Sequence, residues 1–344
     1  MIESPQTVPA PRTPRLPRIV HAAVTVFVGL VMVLSGAWGT LALWYQLPGG
    51  TIARAVGSGL WSLLVLGVFA LAIVRRSGWP LGIYLVALAM LLAWWSSIRP
   101  SHDRVWADDV ARLLRGEVHG NRVTLVNVRD FTWRRDDDYD IRWETRSYDL
   151  DRLVSADAIL SYWGSRAIAH AMISFGFDDG RHVVFSVEIR KKRGEAFSSI
   201  GGFFKQFETV LVAAEENDIV RVRTNVRGED DYLYPMTLER PTMRRLFLAY
   251  VEAANQLAQR PAFYNTVTSN CTTLVYRMAR QINPGLPMDI RLLLTGHLQG
   301  YLRDHDAIDT REPEDVQRAR ARITGKARRV GPDEDFSRAI RAPG

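Results

Sequence analysis

Three uncharged, largely apolar stretches occupy residues 19–47, 57–74 and 80–98, and no other feature restricts the fold so severely. At about 1.5 Å of rise per residue, the first is long enough to cross a hydrocarbon layer of roughly 30 Å as a helix, and the other two are just long enough. The first is too long, and too poorly matched to a cleavage site, for a simple signal peptide. Trp38, Trp44, Tyr45, Trp79, Trp94 and Trp95 gather near the ends, as interfacial aromatics do. The competing reading is a helical hairpin buried in a soluble protein. The absence of any charge from the three cores favours the bilayer as partner.

Charge then orients the spans. Arg12, Arg15 and Arg18 precede the first, Arg75 and Arg76 separate the second from the third, and only Arg54 lies between the first two. The positive-inside rule places residues 1–18, a basic head, and the Arg75 loop in the cytoplasm. Three crossings over residues 19–99 then carry the rest of the chain to the periplasmic side of a bacterial inner membrane, as a multi-pass protein. The formal charge is +7. Much of it sits in the head and the tail, and the soluble part mixes both signs without a recognisable nucleic-acid module. No nucleic-acid partner is therefore expected.

Residues 100–309 read as one soluble domain. A helix is expected over 103–114. Strands are expected over 122–128, 139–148, 167–177, His182–Arg190, 207–213, 219–226 and 232–238, most with period-two alternation. Arg134 to Asp138 reads as a solvated turn. Pro241 opens a helix whose face is Met243, Phe247, Tyr250, Ala254 and Leu257, closed before Pro261. Strands first and helices after define an α+β class. From residue 310 apolar periodicity fades and Arg, Asp and Pro increase, so 310–344 is expected to be a polar, mobile tail.

The only cysteine, Cys271, follows the polar run Phe263 to Asn270 and precedes Leu274, Val275, Met278 and Ile282, which share one helical face. Asn283-Pro284-Gly285 ends that helix, and Ser269 or Asn270 can cap its start. Cys271 therefore sits in the first turn. There the helix dipole favours a thiolate and the free amides could hold an oxyanion. The bland alternative is a small buried hydrophobe. An unpaired thiol in an oxidising compartment needs a reason, which favours a working cysteine.

His170 is the candidate base. It shares a strand face with Met172 and Ser174, ahead of the turn signal Asp178-Asp179-Gly180. A hairpin symmetric about Asp179 puts Glu188 opposite His170 on the same face, where a carboxylate fixes the imidazole's tautomer. A slip of one residue would turn Glu188 away. His170 could instead be a strand histidine bonded to backbone.

Phe131-Thr132-Trp133-Arg134, Arg142-Trp143, Ala169-His170, Ser174 to Phe177, Ser186 to Arg190, Tyr232 to Pro235, Phe263 to Thr266 and Asn270 to Thr273 together resemble the Lnb-type lipoprotein N-acyltransferase family, from about Asp130 to Thr273. The resemblance implies a permuted papain-like, NlpC-like α+β domain in which the histidine strand precedes the cysteine helix. The family's cysteine and histidine map onto Cys271 and His170, with Glu188 as the third catalytic residue. It further implies acyl transfer through a thioester, with a phospholipid as acyl donor and a bacterial lipoprotein as acceptor, and no cofactor or metal. Asn270, Tyr264 and Arg190 are the candidate substrate-binding residues. Arg190, Lys191, Lys192 and Arg193 could meet lipid phosphates, or form a solvated hairpin end. The chain departs from the family's namesake in placing its spans before the domain. A cysteine amidase or peptidase of the cell envelope, or a non-catalytic scaffold, would use the same residues differently.

Overall fold

The computed structural model describes residues 18–75, 78–331 and 333–343. It divides into two compact units, Met1–Arg99 and Pro100–Gly344. Arg12, Arg15 and Arg76, on which the charge reading leans, lie outside the described residues.

The first unit holds three helices, α1 (Arg18–Gln46), α2 (Gly50–Arg75) and α3 (Trp79–Ser97), each long and apolar enough to cross a membrane. Small residues bring α1 and α2 together. A Cβ on Gly39 would fall 2.5 Å from the Trp61 indole nitrogen, which donates to the Gly36 carbonyl at 2.9 Å. Thr40 and Ser62 hydroxyls meet at 3.0 Å, and Ser35 reaches Tyr84 at 2.6 Å. The outer faces keep large apolar side chains exposed, among them Phe27, Leu63 and Val86. Such faces suit lipid and are costly in water.

The second unit is α+β. Its strands are β1 (Arg115–His119), β2 (Arg122–Arg129), β3 (Thr132–Arg135), β4 (Asp138–Asp140), β5 (Trp143–Asp149), β6 (Leu153–Tyr162), β7 (Ala169–Phe177), β8 (His182–Arg190), β9 (Glu208–Ala214) and β10 (Asp230–Pro235). The main sheet runs β1-β2-β9-β8-β7-β6-β10, with β5 also on β2, and β3 and β4 form a separate hairpin. Pairing is antiparallel except for one parallel contact, Arg129 with Ala214. The helices are α4 (Glu216–Arg221), α5 (Arg240–Gln259), α6 (Cys271–Ile282), α7 (Leu298–Asp304), α8 (Glu314–Ala321), α9 (Thr324–Arg329) and α10 (Phe336–Arg341). On one face Phe175 and Phe185 pack edge-to-face on Phe247 of α5, at 5.2 Å in both cases. On the other, Met172, Val184 and Val212 meet Ile219 of α4, Ala327 of α9 and Phe336 of α10.

Three expectations are corrected here. Residues 219–226, expected as a strand, are α4 and a π-helical turn, Val222–Val226. The alternating β-branched residues misled, because Glu216 and Asp218 on the same segment are buried and tied to Arg341 and Arg129. Residues 103–114 contain only one helical turn, Asp108–Val110, because the segment bonds to the end of β8 instead. Ala107 N–H donates to Lys191 O at 3.0 Å, and Arg190 grips the Val110 and Ala111 carbonyls. Residues 310–344 are not a mobile tail through their described length. They form α8, α9 and α10, and bury Ile323, Val330, Phe336 and Ile340. Arg341 is fixed by Glu216 and Asp157, each at 2.6 Å.

Candidate active site

The β7–β8 register pairs Met172 with Ser186 and Gly176 with His182. Continued by two residues, it sets Glu188 opposite His170, as the turn symmetry requires. The β6–β7 ladder pairs His170 with Ser161, and β6–β10 pairs Ser161 with Asp231. Glu188, His170, Ser161 and Asp231 thus form a buried or half-buried polar row across four strands. His170 Nε2 lies 3.1 Å from Glu188 Oε1 and 2.7 Å from Ser186 Oγ, and Ser186 in turn donates to Glu188 at 2.7 Å. A carboxylate only accepts, so Nε2 carries the proton and Nδ1 is left for the cysteine. Arg223, from the π-helical turn, closes the row. It donates to Glu188 at 2.8 Å and to Glu229 at 3.1 Å, while Ser161 donates to Asp231 at 2.5 Å.

Cys271 reaches His170 through a gap in the sheet. The β7–β8 ladder stops at Met172 and Ser186, although β7 begins at Ala169 and β8 continues to Arg190 along β9. There the Cys271 thiol lies near enough to the His170 side chain and the Ala171 backbone for both to act on its charge. Thr272 Oγ1 lies 3.8 Å from it. Cys271 and His170 are only 7 % and 8 % exposed. Burial is the largest influence on His170 and pulls its pKa down. Glu188 and the Cys271 sulfur outweigh burial and the Arg223 charge, and lift it from 6.5 to about 9. Burial likewise pushes the thiol up, but His170, the Ala171 amide and Thr272 hold it below its ordinary 9.0. Glu188 resists burial through His170 and Arg223 and stays well below 4.5. The pair therefore favours thiolate and imidazolium together.

Asn270 is the N-cap. Its side-chain oxygen accepts from the Thr272 and Thr273 amides at 3.0 and 2.8 Å, and its own amide donates to Thr266 O. Its side chain is therefore engaged in capping α6. The Thr272 and Thr273 amides are thus occupied by the cap and are not free for an oxyanion. Burial raises the pKa of the Tyr264 phenol, and the nearby Cys271 and Glu188 charges raise it further. Arg190 does not face solvent. It is buried against the Trp106 ring at 4.3 Å and bonds His102 Nδ1 at 3.1 Å, and desolvation lowers its pKa to about 10. Lys191, Lys192 and Arg193 pair with Asp109, Glu195 and Asp108. This cluster clasps the start of the domain and leaves Arg190 no room to meet a lipid phosphate.

Sequence reasoning missed two supports. Arg223 fell in the segment read as a strand. Thr295 brackets the residue before His170, donating to Ala169 O and accepting from Ala169 N at 2.5 and 2.8 Å. Gly296 allows this approach, since a Cβ there would lie 2.0 Å from Arg166 O. Only the contact itself marks these residues. Among the described residues, no group of three or more His, Cys, Asp or Glu is placed to hold a metal ion.

Three apolar helices followed by a sheet domain with a cysteine and a histidine in contact define a membrane protein built around a soluble α+β module. The model of the Lnb N-terminal periplasmic domain matches residues 139–296 of that module, a span that contains His170, Glu188, Tyr264 and Cys271. No curated protein and no solved structure gives a significant match.

Proposed function

We propose that this protein is a cysteine-dependent acyltransferase of the bacterial inner membrane, working from the periplasmic side through a thioester on Cys271. The observation that carries the reading is the oriented pair: His170 Nε2 is held by Glu188 at 3.1 Å, so its other nitrogen serves the thiol at the start of α6. The histidine strand precedes the cysteine helix, an order that fits a permuted papain-like site. His170 takes the thiol proton. The thiolate attacks the carbonyl carbon of a phospholipid ester, the Tyr264 O–H donates to the developing oxyanion, and the C–O bond breaks as a C–S bond forms. The departing lysophospholipid alkoxide takes the proton from His170. An amine, such as the N-terminus of a lipoprotein, then attacks the thioester, passes a proton to His170 and leaves the thiol restored. Glu188 and Arg223 act as positioning residues for His170.

The test supplies the purified full-length protein with phospholipid carrying an isotope-labelled acyl chain and a peptide with a free N-terminal cysteine. Labelled amide on the peptide, lost in Cys271→Ser, is the expected result. Labelled free fatty acid with no amide would make the protein a lipid hydrolase. Cleavage of the peptide itself, with no acyl group moved, would make it a peptidase.

A further inference from the structure

We propose that the cavity beneath α6 holds the alkyl chain of the acyl group carried on Cys271; this rests on the thioester reading above. The cavity measures about 200 Å³ and lies between the sheet, α5, α6 and α7. It is partly open and reaches the surface at the exposed Asn283 and Asp306, so an occupant can enter from outside. Its position relative to the sulfur is the first argument. Ala171 and Thr272, whose amide and hydroxyl approach the sulfur, both line the cavity. From Thr272 the wall continues along α6 through Val275, Tyr276, Ala279 and Ile282. That is one helical stripe leading away from the nucleophile.

Chemistry of the wall is the second argument. The Tyr276 and Tyr301 hydroxyls are already spent on Leu286 O and Pro287 O, at 3.1 and 3.0 Å. Between Thr272 and the polar far end at Asn283, His305 and Asp306, the wall is chiefly Ala, Val, Leu and Ile side chains. A peptide there would leave amides unpaired, whereas an alkyl chain asks for nothing else. Apolar cavities of comparable size accept hydrocarbons. With a methylene taking roughly the ~30 Å³ of a water, the space holds about six or seven methylenes.

Full-length protein is mixed with 4-nitrophenyl acetate or 4-nitrophenyl octanoate. Released 4-nitrophenolate and the mass added to Cys271 are both followed. In each reaction an Sγ–C bond forms, the ester C–O bond breaks, and 4-nitrophenolate leaves with the electron pair. The wild type is expected to take octanoyl faster than acetyl. Ala279→Phe, which fills the cavity, should slow octanoylation roughly tenfold or more while leaving acetylation near the wild-type rate. Leu246→Ala, which widens it, should shift the preference toward the decanoyl ester. If thioesters form and neither variant alters chain-length preference, the cavity is not the acyl site, and the thioester reading stands. If wild-type Cys271 takes neither group, both proposals fall. Should Ala279→Phe lose acetylation as well, Leu246→Ala decides, and an unchanged preference there overturns the pocket.

Discussion

At the residue scale, the site is a problem in charge. His170 is raised to about 9 from 6.5, and Cys271 is lowered below 9.0. A histidine whose folded pKa is raised adds stability that is fully present below its unfolded value. That contribution is lost as the pH climbs through about 9. A depressed thiol gives the opposite dependence, adding stability above its unfolded pKa and losing it as the pH falls through the folded one. The ion pair therefore fills the interval between the two folded values. Alkylation of Cys271 should begin at a pH below that of an ordinary thiol. In His170→Ala only burial and the local hydrogen bonds remain, so the alkylation profile should move to higher pH. Coincident profiles would show that the pair does not exist. Glu188→Gln removes the carboxylate that fixes Nε2. It should lower turnover and cost some stability, because the charge that raises the His170 pKa is lost, although Ser186 and Arg223 can still bond an amide. The register that sets Glu188 across from His170 and the start of α6 at Cys271 were legible from the sequence, because a turn signal set the one and a polar loop the other. The partners of Asn270 and Arg190 were not legible, because a polar type shows that a side chain needs a partner and does not show which partner it takes.

At the scale of elements, the register of one hairpin and the cap of one helix position the chemistry. Both were readable, β8 to the residue. What was not readable depends on contacts between distant segments. β6 is buried over nearly its whole length, so no alternation marks it. The helical stretch after Glu216 follows from buried acids that only the folded chain supplies with partners. Asp218 accepts from Arg129 at 2.8 Å, from the Phe131 N–H at 2.9 Å and from the Trp133 indole at 2.7 Å. Asp218→Ala would strand the Arg129 charge and should cost about 3–5 kcal/mol in denaturant unfolding. Gly296→Ala tests the brace on His170. Its methyl group would press on the Arg166 carbonyl, so about 1–3 kcal/mol of stability should be lost. Turnover should fall further than stability alone explains, measured well below the unfolding temperature. A stable variant with full turnover would remove the brace from the account.

For the whole molecule, the apolar stretches were the clearest signal and the last thirty-odd residues the least clear. Their arginines looked like a solvated tail, yet Arg341 sits between Glu216 and Asp157 and seats α10 on the sheet. Removing residues 331–344 should therefore destabilise the domain and increase proteolysis of the second unit, whereas a solvated tail could be removed without effect. A periplasm-dependent reporter fused after Gly344 should be active, and activity of a cytoplasmic reporter there would overturn the three-crossing topology. The central claim, that this membrane protein carries acyl groups on its one cysteine, is tested most directly by the intact mass of the full-length chain taken from membranes and incubated with phospholipid in the absence of any amine acceptor. The account predicts a hydroxylamine-labile acyl mass on Cys271 in the wild type and none in Cys271→Ser. A wild-type chain that stays unmodified under those conditions would contradict it.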